Sequence, residues 1–184
     1  RHSGEPALLS GHIAAADRVL IPEVPVNLDH FSDLIISDRK KNSDNYAIAV
    51  VAEGVKVKGG ENIYLGLKDH YGNDKLGGIG DIIYNHLRSN HSASVLTQPL
   101  AYLLRSGEPD ALDKLIAKNF GMLAIQLIEQ KTYGKMTAII DGNYEVIGND
   151  SVLMEQPGLI VENLYDIKNY RPDIKNILGR PMYL

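Results

Sequence analysis

The chain has 184 residues and no Cys, which is long enough to bury a core without covalent staples and excludes disulfide scaffolds, thiolate zinc sites and Cys nucleophiles. Nineteen basic residues stand against 23 acidic ones, a net charge of -4, so the basic footprint of a nucleic-acid binder is missing. No apolar run approaches the ~20 residues of a membrane span, and Arg1-His2-Ser3-Gly4-Glu5-Pro6 is not followed by a signal-peptide core. The expectation is a soluble cytoplasmic protein acting on a small molecule, with no nucleic-acid or membrane partner. A start at Arg1 in place of Met reads as a fragment or a processed product.

Pro6 to Ala16 reads as a small-residue helix, in which Gly11 costs about 1 kcal/mol against Ala and so points to close packing. Arg18 to Ile21 is a short apolar strand stopped by Pro22. Asn27 caps a helix running to about Ile36, with Leu28, Phe31, Leu34 and Ile35 on one face. Asp38 to Asp44, including Arg39-Lys40-Lys41, reads as a solvated turn. Tyr46 to Ala52 is a continuous apolar run that suits a buried strand of a parallel sheet.

Glu53 to Gly78 is Gly-rich and reads as one long loop. A helix follows from Ile79 to Leu87, then a strand from Ser92 to Leu96. Pro109 opens a helix in its first turn, with Leu112, Leu115, Ile116, Phe120, Leu123, Leu127 and Ile128 at helical period. Asp141-Gly142 between two apolar runs, Met136–Ile140 and Tyr144–Ile147, is a hairpin signal. A short helix near Leu159 to Tyr165 closes the pattern. Strands alternate with helices, which implies an α/β fold with a mostly parallel sheet and ligands at the carboxyl ends of its strands.

Glu53 follows the apolar strand directly. It reads either as a carboxylate for ligand hydroxyls or as a loop acid. Arg105, between an apolar segment and a helix start, suits a phosphate through its guanidinium fork and the nearby amides; the other reading is a salt bridge to Glu108 or Asp113. Tyr102 adds a hydroxyl to the same anion or is a rim aromatic. The six His show no metal-ligand spacing.

Several segments, in order, resemble the carboxyl-terminal half of the phosphofructokinase family. Arg1-His2-Ser3-Gly4 is similar to the end of its M-G-R-x-x-G segment. Ala14 to Val24 is similar to its small-residue helix and A-D-x-x-L-I-P-E strand. Val50-Val51-Ala52-Glu53-Gly54 is similar to V-V-A-E-G, and Leu100 to Gly107 to L-G-H/Y-x-x-R-x-G. Gly134-Lys135-Met136, Tyr170-Arg171-Pro172 and Gly179-Arg180-Pro181-Met182 extend the match to the tail.

The resemblance implies a three-layer α/β fold, a mostly parallel sheet with helices on both faces, incomplete without an amino-terminal half. Residues 1–104 would form a sugar-phosphate-binding domain. Residues 105–158 would pack with the amino-terminal domain, and 159–184 would return to the first domain. The implied activity is phosphoryl transfer from ATP or pyrophosphate to the 1-hydroxyl of fructose 6-phosphate by the intact parent. Glu53 would hold sugar hydroxyls, Tyr102 and Arg105 the 6-phosphate, and Arg1 the donor phosphate. Glu23 and Lys40-Lys41 fall near a family effector site. The catalytic base and the Mg²⁺ site would lie in the other half, since no T-x-D-N-D or G-G-D-x-[ST] segment occurs here, and this chain alone would be inactive. A homo-oligomer is implied. Leu96 stands where the family has an Arg that reaches a neighbouring subunit's phosphate site. The alternative is a non-catalytic sugar-phosphate-binding or regulatory subunit of the same fold.

Overall fold

The structure, a computed structural model, describes residues 3–59, 64–68, 74–76, 78–153, 159 and 161–174, with backbone alone for 64–68, 74–76, 105, 152 and 153. In chain order the elements are α1 (Glu5–Ile13), β1 (Arg18–Leu20), α2 (Leu28–Lys41), β2 (Ala49–Val51), β3 (Tyr64–Lys68), β4 (Asp74–Leu76), α3 (Ile79–His91), a 3-10 turn (Ala101–Arg105), α4 (Ala111–Glu129), β5 (Lys135–Ile140), β6 (Asn143–Gly148), a second 3-10 turn (Asn149–Leu153), α5 (Val161–Leu164), β7 (Tyr165–Asp166) and β8 (Arg171–Pro172). They fall into two compact units: Arg1–Pro99 with Gly158–Ile177, and Leu100–Pro157 with Leu178–Leu184.

The mixed helix-and-strand class is the one the sequence implies. Parallel pairing joins β1 to β2, with Leu20 opposite Val51. It continues past both strands as a bridge between Val26 and Val57. The other described ladders are antiparallel.

In the first unit, β1–α2–β2 is a crossover, as parallel neighbours require. Asn27 starts α2 as expected: its side chain accepts from the His30 amide at 3.1 Å. Phe31 and Ile35 of α2 enter the core with Leu8, Val19, Leu20, Ile21, Ile79 and Ile83. Gly11 of α1 is buried against β1. A Cβ there would overlap the Val19 side chain, so the helix-weakening Gly has its packing reason.

Three expectations are corrected here. The helix from Asn27 does not stop at Ile36; it runs to Lys41, so the charged stretch is helical for its first four residues. Its last turn carries Arg39, Lys40 and Lys41, where cations complement the helix dipole. Tyr46–Ala52 is shorter and less covered than its apolar run suggests. Only Ala49–Val51 pairs, at intermediate burial, and Tyr46 and Ile48 are exposed. The Gly-rich loop holds two paired strands, β3 and β4.

The crossover has a consequence for charge. A helix linking parallel strands runs back toward their amino ends, so the last turns of α2 meet the start of β1. There Asp38 accepts from Arg18 Nε at 2.5 Å and Arg18 Nη2 at 2.9 Å. Both side chains are 5% exposed. Arg171 Nη2 donates to the same carboxylate at 3.0 Å, and Arg171 Nε to Asp17 O at 2.8 Å.

The tail closes the other edge of β1. Val19 N donates to Tyr170 O at 2.8 Å. The Tyr165 hydroxyl donates to Val19 O at 2.5 Å, and the Tyr170 hydroxyl accepts from Asn27 N at 3.0 Å. Tail pairing here comes from β7 and β8; the expected helix shrinks to the four residues of α5.

At the end of the first unit's long segment the expected strand Ser92–Leu96 is irregular. In the second unit the start of the long helix also differs from expectation. Pro109 lies outside α4. Asp110 is the N-cap, in a capping box with Asp113. The hairpin is as expected: β5 and β6 pair around Asp141-Gly142. Both turn residues have positive φ, 50° and 80°, the type I′ geometry that matches strand twist. Phe120 of α4 meets Tyr144 edge-on at 5.7 Å.

Two outcomes test this arrangement. Asp38→Asn leaves Arg18 buried without its counter-charge, and a loss of ~3–5 kcal/mol is expected, read as a lower urea midpoint. An unchanged midpoint removes the pair from the stability account. Burial, then Tyr170 and Asp166, raise the Tyr165 phenol well above its ordinary value, against an opposing pull from Arg18. The native state therefore holds this proton more tightly than the unfolded chain. Stability from Tyr165 is complete below pH about 10 and falls as pH rises beyond it. Wild type should lose more unfolding midpoint above that pH than Tyr165→Phe; parallel losses refute the coupling.

Candidate functional site

Because β1 and β2 are parallel, both carboxyl ends open at one edge of the sheet. Past Val51, Ala52 N donates to Leu20 O at 3.0 Å and Val55 N to Ala52 O at 3.2 Å. Glu53 and Gly54 are the corners of the turn so formed, and Glu53 is exposed. This is the strand-end position inferred from the sequence. An exposed carboxylate there is an acceptor for ligand hydroxyls.

Tyr102 and Arg105 share the 3-10 turn Ala101–Arg105 of the second unit. In a 3-10 turn, positions three apart eclipse, so 102 and 105 stand on one face of it. Leu103 N donates to Leu100 O at 2.7 Å, and the Ser106 hydroxyl to Leu103 O at 3.0 Å. Tyr102 is 81% exposed. Arg1 lies outside the described residues.

One inferred feature is corrected. Two of the amides at the start of α4 already have carboxylate partners within the chain. Asp113 N donates to Asp110 Oδ1 at 2.9 Å, and Asp110 N to Asp113 Oδ2 at 3.2 Å. Two local carboxylates, Asp110 and Asp113, close a capping box at the helix start.

Glu23 is a residue that sequence reasoning placed only loosely. It leaves the carboxyl end of β1 as Glu53 leaves that of β2. Its Oε1 accepts from Gly4 N at 2.8 Å. The same strand-end reading that singled out Glu53 would have found it. Among the described residues, no three His, Asp or Glu side chains gather to hold a metal ion, and no helix is long and apolar enough to cross a membrane.

Comparison with known proteins decides the family. The model of the family described as Phosphofructokinase matches residues 1–128. The chain belongs to the phosphofructokinase family. It is 32% identical over 139 residues to the ATP-dependent 6-phosphofructokinase of Chloroflexus aurantiacus, covering 76% of this chain and 37% of that protein. It is 31% identical over 143 residues to the pyrophosphate–fructose 6-phosphate 1-phosphotransferase of Thermoproteus tenax, covering 78% of this chain and 40% of that protein. The chain thus spans well under half the length of these relatives. The phosphofructokinase structure from Saccharomyces cerevisiae superposes with a TM-score of 0.64 at 20% identity, over 82% of this chain and 19% of that one, which gives the same fold.

Ala101 departs from the family's L-G-H/Y pattern, and its φ is 40°. A Cβ in the left-handed region is strained by roughly 1–2 kcal/mol, and Gly would relieve it at some cost in chain entropy. Ala101→Gly is expected to raise the unfolding midpoint of the second unit, by up to ~1 kcal/mol. A lowered midpoint would mean that the turn is not held in this conformation.

Proposed function

We propose that this chain is the carboxyl-terminal, fructose 6-phosphate-binding part of a phosphofructokinase. The full-length protein would transfer a phosphoryl group from ATP or pyrophosphate to the sugar's 1-hydroxyl, in the cytoplasm and as a homo-oligomer. The observation that carries this reading is the family match over 1–128, within which Glu53 lies in the turn just past a sheet strand and positions 102 and 105 share one turn.

In this reading the residues of the chain bind and orient, and none is the catalytic base. Glu53 accepts hydrogen bonds from sugar hydroxyls. Arg105 holds the 6-phosphate, which its planar fork suits, and Tyr102 donates to the same phosphate. Arg1 neutralises charge at the donor phosphate. With the sugar so held, its 1-hydroxyl attacks in line, and catalysis is positioning plus charge neutralisation. The base and the Mg²⁺ belong to the remainder of the full-length protein. Relatives named for either donor match about equally, and both are kept. Residues 1–104 form the sugar-phosphate domain, 105–158 pack with the amino-terminal domain, and 159–184 return to the first.

A second reading is a non-catalytic sugar-phosphate-binding or regulatory subunit. Leu96 favours it: 92% exposed, it offers no charge where the family pattern has Arg. Assay of the full-length protein with fructose 6-phosphate and each donor separates the two. For the first reading, Arg105→Ala should weaken fructose 6-phosphate binding by ~1.5–3 kcal/mol, the loss of a charged hydrogen bond, or roughly 10- to 150-fold in Kd. Affinity unchanged within twofold, by calorimetry, removes Arg105 from the site.

A further inference from the structure

In the first unit α1 and α2 lie on opposite faces of the β1–β2 sheet. Successive side chains of a strand point to opposite faces. Val19 points to α1, where it meets Gly11, and its neighbour Arg18 points to α2, where it meets Asp38. α1 starts at the carboxyl end of the sheet: Gly4 N donates to Glu23 Oε1 at 2.8 Å, and Glu23 follows β1. The helix then runs back along β1 to its amino end, where Asp17 leads into Arg18. Crossovers between parallel strands are right-handed almost without exception. With α2 on one face, β2 lies to a fixed side of β1. With α1 on the other face, a strand feeding α1 lies to that same side. β1 and β2 pair directly, so its place is the outer edge of β2. The far edge of β1 is taken, since Val19 N donates to Tyr170 O at 2.8 Å.

We propose that the outer edge of β2 is an interaction surface for a parallel strand, supplied by the residues directly upstream of α1 in the full-length protein. This rests on the reading of the chain as part of a longer phosphofructokinase; the Chloroflexus aurantiacus relative is matched over only 37% of its length. Arg18 N donates to Ile48 O and Ala52 N to Leu20 O, so residues 48, 50 and 52 face β1, and the backbone groups of Ala49 and Val51 point outward. Among the described residues β2 has β1 as its strand partner and no second one. α3 shares the face of α2, with His86 Nε2 3.2 Å from Asp29 Oδ1. The same rule directs Ser92–Leu96, which follows α3, past β2, yet that segment is irregular and does not pair there. β2 is also under-covered for a parallel strand: its side chains are half-buried, and Tyr46 and Ile48 before it are exposed. An added strand makes β2 internal and brings a third strand end to the edge where Glu53 emerges.

Hydrogen exchange of the full-length protein, read residue by residue by mass spectrometry, tests this. The Ala52 amide, bonded to Leu20 O, is the internal standard. With a strand on β2, the Ala49 and Val51 amides should exchange within roughly tenfold of the Ala52 rate. Faster exchange at either one overturns the proposal. A cryo-electron microscopy map of the same protein identifies what gives the protection. The expected density is a strand parallel to β2, beside Ala49–Val51 and continuous with the start of α1. A helix there, a strand from a second copy, or an upstream strand on the Tyr170 side of β1 overturns the proposal. Neither readout uses activity. A full-length protein that carries the strand but does not phosphorylate fructose 6-phosphate overturns the proposed function and supports the edge assignment; an active one with fast exchange at Ala49 and Val51 overturns the edge assignment alone.

Discussion

A single buried carboxylate, Asp38, accepts hydrogen bonds from two guanidiniums, and the first unit is organised around it. Arg18 belongs to β1, Asp38 to α2 and Arg171 to β8, so one side chain joins the sheet, its crossover helix and the tail. Burying a charge is costly unless its geometry and remaining bonds are good. Here Arg18 presents two nitrogens to the two carboxylate oxygens, and its third donates to Asn169 O. Apart from that cluster, β1 is three residues of strand with few ladder bonds of its own.

The tail's contribution follows from that shortness. Residues 165–171 return to β1 across about 150 positions of chain, and closing so long a loop is entropically unfavourable. Apolar contact alone does not set register. Directed bonds do: Val19 N to Tyr170 O, Tyr165 to Val19 O, Asn27 N to the Tyr170 hydroxyl. Tyr170 itself sits at φ 49°, a strained conformation that persists only where surrounding bonds over-determine it.

What was legible in the sequence was what is local. The Asn27 cap, the period of α4, the Asp141-Gly142 turn and the close packing at Gly11 each depend on residues a few positions apart. Asp38 was not legible, because its partners lie 20 and 133 residues away and a charge run looks solvated from within. The exposure of Tyr46 and Ile48 was hidden for the same reason: an apolar run says that a surface wants cover, not that it has it. α4 makes the same point at larger scale. Its stripe has the spacing of a core helix, yet Leu112, Leu115 and Ile128 are exposed and none of the helix is buried. In the site, the strand-end place of Glu53 came from chain order alone. For Tyr102 and Arg105 the residues left an anion-binding and a plain structural reading open, and the resemblance chose between them, because the 3-10 turn that puts 102 and 105 on one face has no strong sequence signal.

The ion cluster and the candidate chemistry occupy opposite ends of the same short strand. Arg18 begins β1 and Glu23 follows its end. Three residues of strand rise only about 10 Å, so whatever fixes Arg18 also fixes Ile21, Pro22 and Glu23. The buried Asp38 pair is therefore more than a stabilising contact at the closed end of the sheet. By holding β1 rigid in register with β2, it sets the height at which Glu23 and Glu53 emerge at the open end, where ligands of α/β sheets bind. A site needs its reacting partners placed to within about half an ångström, and loops alone do not give that. The proposed site would draw that precision from the charge buried at the far end of the strand. This is a physical reason for accepting the desolvation of Asp38 and Arg18 where an apolar pair would have packed as well.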